Sequence, residues 1–407
     1  MEKGVPTAMR EILFLVHRIP YPPNKGDKIR SFNLLKYLSQ SHRVYLGAFV
    51  DDPMDWRYVD EVKQYCAETC LLPLRPTLAK LRSLRGFLTS EPLSVPYYSD
   101  RRMSDWVEDV VKRARLDGIL VFSSAMAQYA ERHGSIRRVV DFVDVDSDKW
   151  RQYAEKKAWP ASWIYRREAD RLFGYDRRIA MLFDRSLFVS RHEAELFAEL
   201  APETAGRVQA LENGVDTDYF CPSGEYPNLY PDGAKVMVFT GAMDYWANID
   251  AVTWFADEVF PELRRGCKQA EFYVVGSRPV EAVLALGRRE GITVTGTVND
   301  IRPYLKHARF AVAPLRIARG VQNKVLEALA MAKLVLASPP AMEGIDTGSF
   351  ALDARVVNGA SEWQETGLDM LLDIGTSLES ERNREFALRQ YGWHNSLKRL
   401  GALLETL

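Results

Sequence analysis

Long apolar runs are missing from this 407-residue sequence, and no stretch approaches the roughly 20 residues that a membrane-spanning helix needs. Cysteine is scarce as well, and the residues present are too scattered for a disulfide framework: Cys66, Cys70, Cys221 and Cys267. We interpret Cys66 and Cys70, one helical turn apart, as half-buried helix residues. No histidine or second cysteine pair follows at zinc spacing, so no metal site is expected.

Net charge is nearly absent too, at −1, so no global basic field exists to hold nucleic acid. The first residues, MEKGVPTAM, lack the apolar core of a signal peptide and are interpreted as a flexible tail, residues 1–8. We therefore expect a cytoplasmic protein, with peripheral contact on the cytoplasmic face of the membrane left open. The 47% share of hydrophobic residues is typical of globular domains.

Short apolar runs alternating with amphipathic segments are what the sequence does contain. In the first half the predicted strands are 11–16, 43–50, 118–123, 138–143 and 184–189. The pattern restarts near residue 235, after a segment rich in Gly and Pro at 212–227. The chain is therefore predicted to be an α/β protein with two Rossmann-like parallel-sheet domains, whose ligands bind beyond the carboxyl ends of the strands.

Two phosphate-binding motifs are absent from the loop after the first strand. The loop around Gly26 has neither the spacing of a P-loop nor Gly-x-Gly-x-x-Gly. An NAD-dependent enzyme is correspondingly disfavoured.

Three segments resemble a known family. SLFVSRHEAELF with ENGVDTDYF, the stretch RGVQNKVLEALAMAKLVLAS, and the C-terminal YGWHNSLKRLGALLETL are similar to GT4-type retaining glycosyltransferases, in particular to bacterial exopolysaccharide enzymes associated with PEP-CTERM sorting. The resemblance implies a GT-B fold: an acceptor domain at 9–212, a nucleotide-sugar donor domain at 213–385, and a final helix, 386–407, that crosses back to the first domain.

The helix predicted to start near Gln322 is the main candidate for donor binding. Gly320 lets the chain approach a ligand, and the amides of the first turn, around Gln322 and Asn323, favour a phosphate there. Lys324 would be unfavourable at a helix N-terminus without an anion, and Glu327 lies on the same face. In the family the matching Glu binds the ribose hydroxyls. The alternative is an ordinary surface Lys–Glu pair.

The sequence departs from the family near this helix. Arg319 stands where relatives have an earlier Glu, and with Arg316 it is predicted to hold the diphosphate. Ala332 and Leu334 replace the Gly and Pro that relatives have after the helix. We interpret that replacement as a change in the turn and not in the chemistry.

Other loops complete the predicted donor site. Gly241, in GAMDYWAN, would let backbone approach the phosphates, although this loop lacks the basic residues of many relatives. Asn248 is interpreted either as a donor contact or as a helix N-cap. Gly26, Gly276 and Thr297 are further expected donor contacts.

The first domain supplies the predicted acceptor and catalytic groups. The resemblance places the loop around Gly26 towards the acceptor, which gives Lys25, Asp27, Lys28 and Arg30. In VVDFVDVDSDKW, a period of two puts Asp144 and Asp146 on one side of an extended segment, where they could orient a reacting hydroxyl. With Lys324 and Glu327 they form the predicted catalytic set. A solvated strand end and a divalent-ion site are the alternatives.

Segments 75–115 and 149–185 mix Arg and Lys with aromatic residues. Such helices are typical of surfaces that lie on an anionic membrane, or of ordinary helices whose apolar faces enter the core.

The implied activity is transfer of a hexosyl group, with retention, from a nucleotide-diphosphate sugar to a glycan or polyprenyl-linked acceptor in exopolysaccharide synthesis. No cofactor is expected. UDP-sugar is favoured, and GDP-sugar stays open. The alternatives are a GT-B-like epimerase or hydrolase of sugar nucleotides, and a non-catalytic sugar-nucleotide-binding or scaffold protein.

Overall fold

The computed structural model describes residues 9–23, 26–89, 91–155, 158–318, 320–373 and 379–405. The chain divides into two compact units. The first comprises Met1–Glu212 with Leu397–Leu407, and the second comprises Asn213–Ser396. Each unit has its own parallel sheet and its own hydrophobic cluster.

The first unit contains a seven-stranded sheet in the order β3-β2-β1-β4-β5-β6-β7. Its strands are β1 Arg10–Val16, β2 His42–Val50, β3 Glu68–Pro73, β4 Leu116–Phe122, β5 Arg138–Val143, β6 Arg185–Phe188 and β7 Val208–Ala210. The central strands are buried along most of their length, as expected for a parallel sheet covered on both faces.

The helices of the first unit are α1 Gly26–Leu38, α2 Val59–Lys63, α3 Pro76–Ser83, α4 Arg85–Leu88, α5 Ser94–Tyr97, α6 Arg101–Arg113, α7 Asp146–Glu155, α8 Ala161–Leu182 and α9 Arg191–Leu200. Short 3-10 helices lie at Pro53–Tyr58, Ser124–Tyr129 and Pro202–Arg207.

The second unit contains a six-stranded sheet in the order β10-β9-β8-β11-β12-β13. Its strands are β8 Lys235–Thr240, β9 Ala270–Val275, β10 Ile292–Gly296, β11 Phe310–Ala313, β12 Val335–Ala337 and β13 Ala354–Val356. Its helices are α10 Trp246–Trp254, α11 Phe260–Gly266, α12 Glu281–Leu286, α13 Arg302–His307, α14 Asn323–Ala330, α15 Pro339–Met342, α16 Gly359–Leu372 and α17 Glu381–Phe386, with π-helical turns at Phe255–Val259 and Ala387–Tyr391.

The final helix, α18 (Trp393–Glu405), starts in the second unit and ends in the first. At its end the carbonyl of Leu404 accepts a hydrogen bond from Arg137, and the side chain of Leu404 lies beside Gly118. Gly401 packs against the hydroxyl of Tyr37, where a Cβ would come within 2.6 Å. The end of this helix is therefore part of the packed first unit.

Two doubly wound parallel sheets were predicted, and they are confirmed. Cys66 and Cys70 are half-buried as predicted, but their predicted helical placement was wrong, because Cys70 lies in edge strand β3, paired with Gly47, and Cys66 precedes that strand. A four-residue spacing alone does not distinguish a helix from a turn followed by a strand. Burial raises the pKa of both thiols, to about 12 for Cys66 and about 11 for Cys70, so neither is an activated thiolate. Within the described ranges, no helix is long and apolar enough to cross a bilayer.

Candidate functional site

The predicted donor residues of the second unit lie at the carboxyl edge of its sheet. They follow β8, β9, β10 and β11 or occupy the first two turns of α10 and α14: Gly241, Gly276, Thr297, Arg316, Gly320, Asn248, Gln322, Asn323, Lys324 and Glu327. Arg319 lies outside the described residues. Because the carboxyl ends of parallel strands share one edge, loops far apart in sequence converge there.

The loops after β8 and β9 meet backbone to backbone. A Cβ on Gly276 would lie 1.6 Å from the carbonyl oxygen of Gly241, and a Cβ on Gly241 would lie 2.7 Å from Nδ2 of Asn248. We expected Gly241 to leave room for phosphate. In the structure Gly276 is needed for the two loops to pack on each other, and Gly241 is needed for the close approach of the Asn248 side chain.

Asn248 connects the loop after β8 with α14. Its Nδ2 donates to the carbonyl of Ala242 at 2.9 Å, and its Oδ1 accepts from Nζ of Lys324 at 2.8 Å. The residue that caps α10 is Tyr245, with no side-chain bond, so the N-cap alternative for Asn248 was wrong. The geometry instead gives Asn248 a positioning role for Lys324.

Lys324 and Glu327 form an electrostatically coupled, half-buried pair. Loss of solvation lowers the pKa of Lys324 to about 8, opposed by the negative charge of Glu327. Burial raises the pKa of Glu327 to about 7, opposed by Lys324. Nζ of Lys324 also lies 5.1 Å from the ring centroid of Phe239. An anion placed beside Lys324 would restore the stabilisation that its ammonium has lost.

Hydrogen-bonding capacity is left over around α14. In the described part of the chain, the carboxylate of Glu327 accepts no hydrogen bond and the buried Oδ1 of Asn323 has no partner. The helix has no side-chain cap at Gln322, whose Nε2 donates to the carbonyl of Gly320 at 3.1 Å. A buried polar atom without a partner is costly, and a polar ligand would remove that cost.

The segment before α14 is fixed by partners that the sequence did not indicate. Arg316 forms a bidentate ion pair with Asp250, in which Nε donates to Oδ2 at 2.9 Å and Nη2 donates to Oδ1. Part of the charge of Arg316 is therefore already neutralised. Gly320 has φ +64°, and a Cβ on Gly344 would lie 2.5 Å from its carbonyl oxygen. Gly344 was missed, because only the folded chain places it against this loop.

A second group missed by the sequence analysis lies within electrostatic range of Glu327. The ring of Tyr219 lies 3.9 Å from the guanidinium carbon of Arg302, and both residues bind Asp300. Desolvation and the charges of Asp300 and Glu327 raise the pKa of Tyr219, although Arg302 opposes them. Tyr219 belongs to the ENGVDTDYF segment, but no spacing rule connects it with α13.

The predicted acceptor residues of the first unit are largely held by other side chains. Lys25 lies outside the described residues. Lys28 is buried and bonded to Asp55, and Arg30 is buried and paired with Asp141 at 2.7 Å. Both side chains are therefore held by ion pairs inside the first unit.

Asp27 is also held by neighbouring side chains, and Gly26 lies at the start of a helix. Asp27 accepts from Arg18 at 2.7 Å and lies 3.3 Å from Nε2 of His17, and despite desolvation these partners hold its pKa well below the usual range. Gly26 begins α1 with open space at its Cβ position, so its backbone does not require glycine.

The predicted catalytic carboxylates of the first unit do not lie on an extended segment. The chain leaves β5 at Val143, which has φ +73°, and Asp146 is the first residue of α7. Asp144 and Asp146 nevertheless converge on Nζ of Lys149, at 2.6 and 3.3 Å. Ser123, just after the neighbouring β4, also has a positive φ, of 76°. Strained residues of this kind cluster at functional sites.

Comparison with known proteins finds a family match within the second unit. Residues 234–373 match the family model described as "Glycosyl transferases group 1". This segment is similar in sequence to group 1 glycosyltransferases. It includes the loops and α14 described above, and the match supports glycosyl transfer as the activity. No protein with a curated description is detectably similar in sequence.

Solved structures match nearly the whole chain. A glycosyltransferase from Rickettsia africae aligns with 14% identity and a TM-score of 0.64 over 98% of each chain. A sucrose-phosphate synthase from Thermosynechococcus elongatus aligns with 15% identity and a TM-score of 0.66, over 98% of this chain and 99% of that one. HepE from Anabaena, solved with UDP, aligns with 14% identity and a TM-score of 0.62, over 98% and 100%. The fold is GT-B.

Proposed function

We propose that the protein transfers a sugar from a nucleotide-diphosphate sugar to an acceptor hydroxyl. One observation carries the proposal: Asn248 holds Lys324 beside Glu327 at the start of α14, within the segment that matches group 1 glycosyltransferases. A cation, a carboxylate with free acceptor capacity and an uncapped helix N-terminus together suit a ribose–diphosphate ligand.

Each group has a distinct proposed role. Lys324 and the first turn of α14 stabilise the charge that grows on the leaving diphosphate. Glu327 accepts hydrogen bonds from the ribose hydroxyls, and Asn323 donates or accepts beside it. A UDP-sugar is the favoured donor, in line with the UDP and UDP-glucose complexes of HepE, and a GDP-sugar stays open. Retention and hexosyl transfer rest on the resemblance to GT4-type enzymes.

For the acceptor we propose a glycan or polyprenyl-linked glycan of exopolysaccharide synthesis, glycosylated at the cytoplasmic face of the membrane. Asp144 and Asp146, with Lys149 between them, are the proposed groups that orient its hydroxyl. No metal is required by this scheme, because the ammonium and the helix amides carry the anionic leaving group.

A thermal-shift screen with UDP, GDP, ADP, TDP and CMP tests the donor site. A ligand at 100 times its Kd stabilises the folded state by about 2.7 kcal/mol, so the matching nucleotide raises Tm by several degrees. Lys324→Ala removes a charge-assisted contact of about 1.5–3 kcal/mol, which weakens binding roughly 10- to 100-fold. The exposed Lys268→Ala, elsewhere in the second unit, is the matched control and keeps the shift.

Two results would contradict the donor-site assignment. If no nucleotide raises Tm of the folded wild type, or if Lys324→Ala responds like Lys268→Ala, the donor site is misassigned and a scaffold role takes its place. Release of free sugar from the donor without any acceptor would instead identify a hydrolase or epimerase.

A further inference from the structure

An exposed apolar stripe runs along α3 and α4 of the first unit. Leu78, Leu81, Leu84 and Phe87 recur every three residues, and all four are exposed, with Leu81 at 63%. Residues three apart on a helical segment are neighbours, although each such step also turns about 60° around the helix axis. The stripe is therefore a ridge of adjacent apolar side chains that winds around the segment, not a set of scattered exposed side chains.

The ridge continues onto the start of α8. The ring of Phe87 stacks on Trp163 with centroids 6.2 Å apart and planes 10° from parallel, and Arg167 lies 4.9 Å from the Phe87 ring. Trp163 is 55% exposed, and Trp159, one helical turn earlier, is 81% exposed. Two tryptophans thus extend the ridge sideways without entering the core.

Cations border the ridge. Between residues 75 and 90 the sequence has four basic residues, Arg75, Lys80, Arg82 and Arg85, and no acidic one. Arg75, Lys80 and Arg85 are exposed and form no ion pair with any described residue. Beside Leu78 and Leu81 lies a cavity of about 590 Å³ whose lining includes Arg75, Arg82, Arg85 and Arg102. Asp100, also in the lining, is already paired with Arg102 at 2.8 Å.

We propose that this surface, which we call the Leu–Trp ridge (Leu78, Leu81, Leu84, Phe87, Trp159 and Trp163), docks onto an anionic lipid bilayer. The leucines and Phe87 enter the boundary between head groups and acyl chains, and the tryptophans lie at the head-group level, where amphipathic rings are favoured. Arg75, Lys80 and Arg85 contact lipid phosphates, and the arginine-lined cavity receives one such phosphate.

A second copy of the chain fits this surface less well. In a two-fold dimer the same patch meets itself, so the unpaired cations of one ridge would face those of the other. Like charges brought together at an interface cost several kcal/mol. An anionic bilayer neutralises the same cations. The inference does not depend on the proposed sugar transfer, because it concerns binding of the protein to lipid alone.

Flotation with vesicles tests the docking surface. The full-length protein is expected to float with vesicles of an equal mixture of phosphatidylcholine and phosphatidylglycerol, and to stay behind with phosphatidylcholine alone. Leu81→Ser is expected to lower the partition coefficient about tenfold, the effect of removing one apolar side chain from the interface. Trp159→Ser is expected to act in the same direction.

Three further variants test the basic residues beside the ridge. Arg75→Gln, Lys80→Gln and Arg85→Gln are each expected to lower partitioning roughly fivefold, since a basic residue near an anionic surface contributes about 1 kcal/mol. That loss shrinks as salt rises. Leu284→Ser and Lys268→Gln, both exposed in the second unit, are the matched controls and float like the wild type.

Three outcomes overturn the proposal: no flotation of the folded wild type, equal flotation with neutral and anionic vesicles, or equal losses in the control variants. A dimer in light scattering that Leu81→Ser converts to a monomer also overturns it, because the occupant would then be a second copy. An unchanged Tm and nucleotide response in each ridge variant shows that folding and the donor site are intact.

Discussion

Buried charged groups are paired with each other in the first unit and incompletely paired at the donor-site helix of the second. In the first unit, Arg30 and Asp141 neutralise each other in the interior, as do Lys28 and Asp55. Among the described residues of the second unit, the ammonium of Lys324 has only a neutral amide as its hydrogen-bond partner, and Glu327 accepts no hydrogen bond. Both units are doubly wound parallel sheets, so the difference does not come from the fold class.

The contrast distinguishes charged groups that stabilise the fold by pairing with each other from charged groups whose pairing is incomplete. A buried ion pair is complete by itself, and removing one member leaves an uncompensated charge. A half-satisfied pair with displaced pKa values is costly until something binds. A pair of charges in a sequence does not reveal which of the two it is, and the following variants distinguish them.

Breaking the buried pair should give the largest effect. Asp141→Asn leaves the charge of Arg30 without its buried counterion, and we expect a loss of about 3–5 kcal/mol in the free energy of unfolding, measured by urea denaturation. The double variant Asp141→Asn with Arg30→Met should recover part of the loss. If Asp141→Asn lowers the free energy of unfolding no more than a surface substitution does, the Arg30–Asp141 pair does not stabilise the fold. The proposed difference between the two units would then be wrong.

Forcing apart the two glycine loops should be the next largest effect. Gly276→Ala sets a methyl group 1.6 Å from the carbonyl oxygen of Gly241, so the loops must separate, at a cost of about 2–3 kcal/mol. Nucleotide-induced stabilisation should disappear with it, because Asn248 packs on Gly241. Gly174→Ala, in α8 with open space at its Cβ, is the control and should gain about 0.5–1 kcal/mol. Equal Tm values for both variants would contradict the packing role.

Removing the charge of Glu327 should stabilise the unliganded protein. Because its folded pKa is raised to about 7, ionisation costs stability as pH rises from near 4.5 through 7, and the cost is fully present above 7. Glu327→Gln is therefore expected to gain about 1 kcal/mol at pH 8 and nothing at pH 5, with allowance for solvent around this half-buried group. Thermal melts at the two pH values measure this. The same variant should lose the nucleotide response, and a gain that is independent of pH would argue against the pKa shift.

The smallest effect concerns the turn after α14. Ala332 has φ +56°, in the region that favours glycine, and the resemblance to GT4-type enzymes implies Gly at this position. Ala332→Gly relieves that strain but loosens the unfolded chain, so we expect a change between zero and about 0.5 kcal/mol of added stability. Ala234→Gly, at ordinary backbone, should instead cost about 1 kcal/mol. Donor binding should not change in either variant, since the interpretation of Ala332 is a change of turn only.

Periodicity was enough to predict the two parallel sheets, because strand and helix periods are local properties of the chain. Edge strands β3, β7 and β13 were not assigned, since short half-exposed segments have no strong period. The candidate residues Lys324 and Glu327 were found because one helical turn brings them together. The hydrogen bond from Lys324 to Asn248, 76 positions away, was not predictable from spacing.

The sequence by itself determined the fold class, the alternation that places loops at the carboxyl edges, and the one-turn spacing of Lys324 and Glu327. Only the tertiary structure decided that Arg30 and Lys28 are buried, that Asn248 holds Lys324 and that Gly241 and Gly276 touch. The physical reason is that burial and ion pairing depend on which distant segment packs opposite, whereas backbone period depends on near neighbours alone.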